Sequence, residues 1–296
     1  MESRVAWLFR SPTVDIVDWR CAGHAGPFGG EEWTDVHEVV VARRGAYVRR
    51  IGREEVFVDP GTVTFGHPGE TYRVRHPLLG GDDCSAFRFP AAAVADAVSS
   101  RDSDADDGPA VRFPAASAPI DGPAYLLHRL AVHAAGDPGA VPIEVEERAQ
   151  AFLRRVVDSA GGRRADPRRP ARLTRRAVDQ AWHARELVAR RYRERLDLTH
   201  LAGEVGCSPF HLSRVFASVF GLPIHRALVR LRLREALERL LATTTEGVSA
   251  VAYATGFASH SHLTDVFRRE YGCPPSAVRR LRPPDVGALW ARAPMR

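Results

Sequence analysis

The sequence predicts an α+β protein, with a strand-rich front, a helical middle and an all-helical back. Three observations carry this. Short β-branched and aromatic runs, broken by Gly and Pro turns, fill the first ninety residues. From about residue 123 onward, apolar residues recur at three- and four-residue spacing. Charge also divides along the chain. Residues 1–162 hold 17 Arg against 24 acidic residues, a net of −7, and residues 163–296 hold 25 Arg against 12, a net of +13.

Composition narrows the class. The 296 residues are 45% hydrophobic and 26% charged, which excludes a mostly disordered chain or a collagen. Four Cys in a chain this long make no disulfide framework. No apolar run approaches the roughly 18–20 residues of a membrane helix, and the first ten residues lack a signal peptide's apolar core. The expectation is therefore a cytoplasmic protein with no membrane partner. Lys is absent, which GC-rich coding explains. The asymmetry between the ends is a separate matter: a basic back half points to a polyanion, nucleic acid before membrane.

Taken in order, 36–41, 46–51, 55–58 and 84–89 read as strands. Turns fall at 44–45, 59–61, 68–69 and 80–83. This spacing fits a small antiparallel barrel or sandwich. Residues 91–99 fit a short helix and 101–109 an Asp-rich loop. Residues 125–135 and 144–159 fit amphipathic helices. Their apolar stripes, with Leu126, Leu130, Phe152 and Val156, suit either a dimer contact or packing on the chain's own front. A Gly/Arg/Pro-rich stretch at 161–170 reads as a linker. Helices are then predicted at 174–192, 198–205, 209–220, 224–241, 248–255, 260–271 and 275–281. Ser208, Ser259 and either Asp197 or Thr199 serve as N-caps.

The back half contains an internal repeat. LAGEVGCSPFHL at 201–212, followed by Val215, Phe216, Gly221 and Pro223, returns as VAYATGFASHSHL at 251–263. Val266, Phe267, Gly272 and Pro274 follow the second copy. The offset is 50 residues up to the turn glycine and 51 beyond it. Each copy has a small residue where two helices approach (Ala202, Ala252), then a glycine for a tight turn (Gly206, Gly256), then a polar cap. The helix that follows keeps Leu212, Val215 and Phe216, or Leu263, Val266 and Phe267, on one face. Such a division suits a helix-turn-helix, whose second helix enters a DNA groove.

These residues resemble the DNA-binding domain of the AraC/XylS family of bacterial transcription regulators. The most specific stretch runs from Ala252 through Gly256, Phe257, Ser259, Ser261 and Phe267 to Gly272 and Pro275. The resemblance implies two helix-turn-helix motifs joined by the long helix at 224–241, reaching successive major grooves. It implies base contacts by Phe210, Ser213 and Arg214 in the first copy and by His260, Ser261 and Asp265 in the second. Arg214 is the strongest direct reader, because Arg pairs with guanine O6 and N7. Asp265 departs from the pattern, since an Arg is frequent there. It can accept from cytosine N4 or orient Arg268 or Arg269. Val278 replaces an expected aromatic before Arg279, with a packing consequence only. Backbone contacts fall to Ser259, Arg232, Arg268 and Arg269.

The same resemblance implies a cupin-like barrel at 1–90 that senses a small effector, and a helical, dimerising segment at 91–162. A linker at 163–172, a DNA-binding domain at 173–282 and a tail at 283–296 complete the layout. Implied partners are promoter DNA, a second copy of the chain in a homodimer and RNA polymerase. No His-x-His occurs in the front, which argues against an oxygenase-type iron site. Cys21, His37, His76 and Cys84 are candidate zinc ligands, although ordinary buried Cys and strand-end His explain them more simply. A thiol pair of Cys21 and Cys84 is a further option, and His24 and His67 lie in the same segment. Cys207 and Cys273 read as structural. No phosphate loop, nucleophile elbow or His-Glu-x-x-His is present. The expected function is a one-component, sequence-specific transcription regulator without enzymatic activity. The alternative is a metal-dependent cupin-type enzyme with a helical nucleic-acid-binding appendage.

Overall fold

A computed structural model describes residues 3–23, 25–77, 81–99, 111–161, 173–242 and 246–278. The expected loop at 101–109, linker at 163–172 and tail at 283–296 lie outside the described residues, as do His24 and Arg279. The chain divides into two compact units, Met1–Arg164 and Ala165–Arg296.

Unit 1 is built on two antiparallel sheets. The first has six strands in the order β1 (Ser3–Arg10), β2 (Asp15–Cys21), β9 (Asp82–Phe89), β4 (His37–Gly45), β7 (Thr62–Gly66) and β10 (Ser117–Pro119). The second has four, in the order β3 (Glu31–Trp33), β8 (Thr71–Arg75), β5 (Tyr47–Ile51) and β6 (Glu54–Val58). Ile51 pairs with Glu54 across a two-residue loop. That loop needs a positive φ at its first position, and Gly52 supplies it at 56°.

The expected closed barrel is corrected here: the sheets do not close. Among the described strands the chain changes sheets six times, between β2 and β3, β3 and β4, β4 and β5, β6 and β7, β7 and β8, and β8 and β9. Among the described residues no named strand of one sheet pairs with a strand of the other, and the two sheets face each other as layers across a shared cavity. Alternation along β9 sorts its side chains. Phe87 lies 4.9 Å from Phe152, on the helical side. Asp82, Cys84 and Ala86 line a cavity between the sheets.

The helices are α1 (Ala91–Ser99), α2 (Gly122–Ala135) and α3 (Pro142–Gly161). Asp121 caps α2 by accepting from the Ala124 amide at 2.8 Å, and its other oxygen takes Arg155 Nη2 at 2.8 Å. Leu126, Leu130, Phe152 and Val156 are all buried within their own unit. The stripe proposed as a dimer contact is therefore spent on internal packing, because the six-stranded sheet has an apolar outer face to cover.

Unit 2 is all helix: α4 (Arg175–Arg191), α5 (Leu198–Glu204), α6 (Pro209–Phe220), α7 (Ile224–Ala242), α8 (Val248–Ala254), α9 (His260–Tyr271) and α10 (Pro275–Val278). One core joins Ala184, Leu187 and Val188 of α4 to Leu201 and Ala202 of α5 and to Leu212 and Phe216 of α6. Ala227, Leu228 and Leu231 of α7 pack against it, and α7 also contacts α8, α9 and α10. Apolar positions lie around much of α7 because it is covered by both helix pairs.

Candidate nucleic-acid interface

The cavity between the sheets of unit 1 measures about 100 Å³, room for a few atoms rather than a drug-sized ligand. Glu32, Glu38, Arg49, Tyr72, His76 and Asp82 are among its lining residues. Arg49 is held in place: its Nη1 donates to Phe65 O at 3.0 Å, its Nη2 to Glu70 Oε1 at 2.9 Å, and Tyr72 stacks 4.2 Å from its guanidinium. Burial pushes the Glu38 and Glu32 carboxyls above the usual carboxylate range. Of the four candidate zinc ligands, Cys21 and His76 come together, joined by Asp82, with their ligand atoms within 4.8 Å. Cys84 stands next to them, its thiol donating to Asp82 Oδ2 at 2.9 Å. His37 is elsewhere, edge-on to His67 at 5.7 Å and against Phe113. Burial first, then the charge of Arg112, lowers the pKa of both histidines. Asp82 was missed by sequence reasoning. Its signal was the Asp-x-Cys spacing, which places Asp82 and Cys84 on one strand face.

In unit 2 the turns of the two helix pairs repeat each other's backbone hydrogen bonds, although Asp197 caps α5 and α8 starts at Gly247 without a side-chain cap. At the end of α5, the Val205 amide donates to Leu201 O at 3.1 Å, Gly206 to Gly203 O at 3.2 Å and Cys207 to Ala202 O at 3.0 Å. At the end of α8, Thr255 donates to Val251 O at 3.1 Å, Gly256 to Tyr253 O at 3.1 Å and Phe257 to Ala252 O at 2.9 Å. Both turn glycines have positive φ, 69° for Gly206 and 84° for Gly256. Ser208 Oγ then caps α6 by accepting from the His211 amide at 3.2 Å, and Ser259 Oγ caps α9 by accepting from His262 at 3.1 Å. Each serine keeps its own hydroxyl hydrogen to donate outward, beside a helix N-terminus that favours anions.

The helices α6 and α9 are two-faced. Leu212, Val215 and Phe216, and likewise Leu263 and Phe267, are buried. Phe210 is 80% exposed, and Arg214, His260, Ser261, Asp265, Arg268 and Arg269 are exposed as well. Ser213 is half-buried.

Residues 201–281 match a protein-family description that reads helix-turn-helix domain. The regulator GlxA of Rhizobium meliloti is 38% identical over 85 residues, which cover 29% of this chain and 26% of GlxA. The activator RhaS of Escherichia fergusonii is 40% identical over 62 residues, 21% of this chain and 22% of RhaS. The chain thus spans about a quarter of the length of these curated relatives. Residues 201–281 are an AraC-type helix-turn-helix domain. An apo ToxT structure from Vibrio cholerae aligns over 91% of this chain and 98% of its own, at 11% identity and a TM-score of 0.40.

Within the AraC-type domain the expected residues fall into two groups. Arg214 and Arg268 make no side-chain hydrogen bond or ion pair among the described residues and extend from exposed helix faces. Asp265 touches Arg269 only through its main-chain carbonyl, which accepts from Arg269 Nε at 3.4 Å. Arg232, expected at the DNA backbone, is bonded within its own unit. Its Nε donates to Tyr192 O at 2.7 Å and its Nη2 to Glu194 O at 2.8 Å. It is a clamp that ties α7 to the turn after α4, and burial lowers its pKa. Tyr253, 65% exposed on α8, was missed. Its sequence signal was an aromatic residue standing where the first copy has Gly203.

Proposed function

We propose that the chain is a one-component transcription regulator that binds double-stranded promoter DNA in a sequence-specific way. The observation that carries this is the duplicated helix-turn-helix, with matching turn bonds and serine caps and two exposed helix faces. Phe210, Ser213 and Arg214 form the base-facing set of α6, and His260, Ser261 and Asp265 that of α9. Ser259, Arg268 and Arg269 serve phosphates. Arginine contacts to phosphate supply affinity that falls with salt, and the two helix faces supply preference among bases.

The two-sheet, cupin-like unit 1 is the sensor, with the intersheet cavity as the effector site. The layout is a sensor built on the strands of 1–90 together with β10, helices within 91–162, a linker at 163–172, the DNA-binding domain at 173–282 and a tail at 283–296. The protein acts in the cytoplasm as a homodimer, contacts RNA polymerase at the promoter and performs no catalysis. No single described helix is long and apolar enough to cross a membrane.

Selection of the full chain on randomised duplex DNA tests the reading. The expected result is a two-part motif with half-elements about 10 bp apart. Salt-dependent binding without enrichment would overturn it. On the selected duplex, Arg214→Ala lowers affinity by about 1–3 kcal/mol and relaxes preference at one base position. Fluorescence titrations on the motif and on its single-base variants measure this. Equal weakening on every sequence would make Arg214 a phosphate contact.

A further inference from the structure

We propose that unit 1 holds one divalent transition-metal ion of the zinc class on Cys21 Sγ, His76 Nε2 and an oxygen of Asp82. The site stands independently of the DNA-binding reading, because every ligand belongs to unit 1. The three ligand atoms lie within 4.8 Å of one another, although they come from three separate segments. Cys21 ends β2 and Asp82 begins β9, directly opposite each other in the antiparallel register. His76 follows β8 in the facing sheet and is positioned by its bridge to Ala25.

Three glycines allow this convergence. A Cβ on Gly23 would sit 2.4 Å from His76 Nδ1, and one on Gly81 would sit 1.7 Å from the Cys21 carbonyl oxygen. A Cβ on Gly45 would meet the Gly81 carbonyl oxygen at 2.1 Å. Any side chain at these positions would push the ligand segments apart. Two close backbone approaches, at Gly45 and Gly81, and one of Gly23 to the His76 ring hold the ligand set in place before the ligand arrives.

The chemistry selects the ion. Sulfur, imidazole nitrogen and one carboxylate form a mixed, borderline-soft set that suits zinc or cobalt and not magnesium or calcium, which take oxygen ligands. His76 Nε2 and Asp82 Oδ1 share a hydrogen bond at 2.5 Å; on binding, the neutral ring carries its proton on Nδ1, and Nε2 and Oδ1 turn their lone pairs to the cation. His76 and Asp82 are buried, so a thiolate and a carboxylate around a divalent cation give a neutral centre in a low-dielectric place. Cys21 releases its thiol proton to solvent on binding. The Cys84 thiol, bonded to Asp82 Oδ2, orients the carboxylate from outside the ligand set. Three protein ligands leave a fourth position open, and the intersheet cavity, lined by the same three residues, is where that position leads.

The test uses the full chain, stripped with chelator and titrated with cobalt(II) alone. The expected result is one equivalent bound, with a thiolate-to-cobalt charge-transfer band and the visible absorption of a tetrahedral centre. Cys21→Ser removes the charge-transfer band and weakens binding at least about tenfold. Cys207→Ser, in the other unit, leaves the titration unchanged. A folded chain that takes up less than about a tenth of an equivalent overturns the proposal. So does a sulfur band that survives Cys21→Ser. Should Cys21→Ser fail to fold, Asp82→Asn carries the test: a loss of about tenfold is expected, and an unchanged affinity overturns the site.

Discussion

Phe216→Ala lowers the stability of unit 2 by about 3–5 kcal/mol, the usual range for truncating a buried phenylalanine. Phe216 is fully buried and lies 4.6 Å, ring to ring, from Phe220. It sits in the core that joins α4, α5 and α6. Few atoms are free to fill the space, since helices on several sides are already locked by their caps. The loss reaches DNA binding because α6 presents Phe210 and Arg214 only while its opposite face is docked. Urea melts followed by the helical far-UV signal measure the first effect, and titration on the selected duplex measures the second. A loss below about 1 kcal/mol would mean that α6 is not anchored by its phenylalanine.

Gly256→Ala lowers stability by about 2–4 kcal/mol, whereas Gly206→Ala, its equivalent in the first copy, costs about 1–2 kcal/mol. Both positions have positive φ, so alanine is strained at either. The surroundings make the difference. A Cβ on Gly206 meets nothing within 4 Å, but one on Gly256 would lie 2.9 Å from Arg232 Nε and 3.1 Å from Arg193 O. Arg232 does not yield freely, because its fork is bonded to the Tyr192 and Glu194 carbonyls. Equal urea midpoints for the two variants would show that the Arg232 clamp is dispensable. The comparison isolates packing from backbone strain, since the strain is common to both.

Much of unit 2 was legible before any coordinates. Its signals are local: a 3.6-residue period, glycine at the turns, serine at the caps, and two copies of one pattern that reinforce each other. The recognition faces follow from the same period, because burying Leu212 and Phe216 leaves Phe210 and Arg214 outside. Arg232 gave no sign of its internal bonds, for a reason of range. Its carbonyl partners lie about forty residues earlier in the chain, and no local pattern shows that a basic side chain is turned inward.

Unit 1 shows the complementary limit. Strand-forming runs and turns were visible, but barrel and sandwich share the same alternation, and only in space does it show how the strands divide between two sheets. The stripe of Leu126, Leu130, Phe152 and Val156 carried no mark of its destination, since an apolar helix face reads alike whether it covers a sheet or a second chain. The metal ligands divide in the same way. Cys21 and His76 were named from the chain and Asp82 was not, because strand register decides which side chains of the proposed site meet. Register sets Cys21 against Asp82, the facing sheet delivers His76, and β4 carries His37 to a different cluster. Periodicity, caps and charge balance are written within a few neighbouring residues, so they declare a double helix-turn-helix on a basic unit. Pairings between distant strands depend on which surfaces bury each other, and only the folded chain decides those.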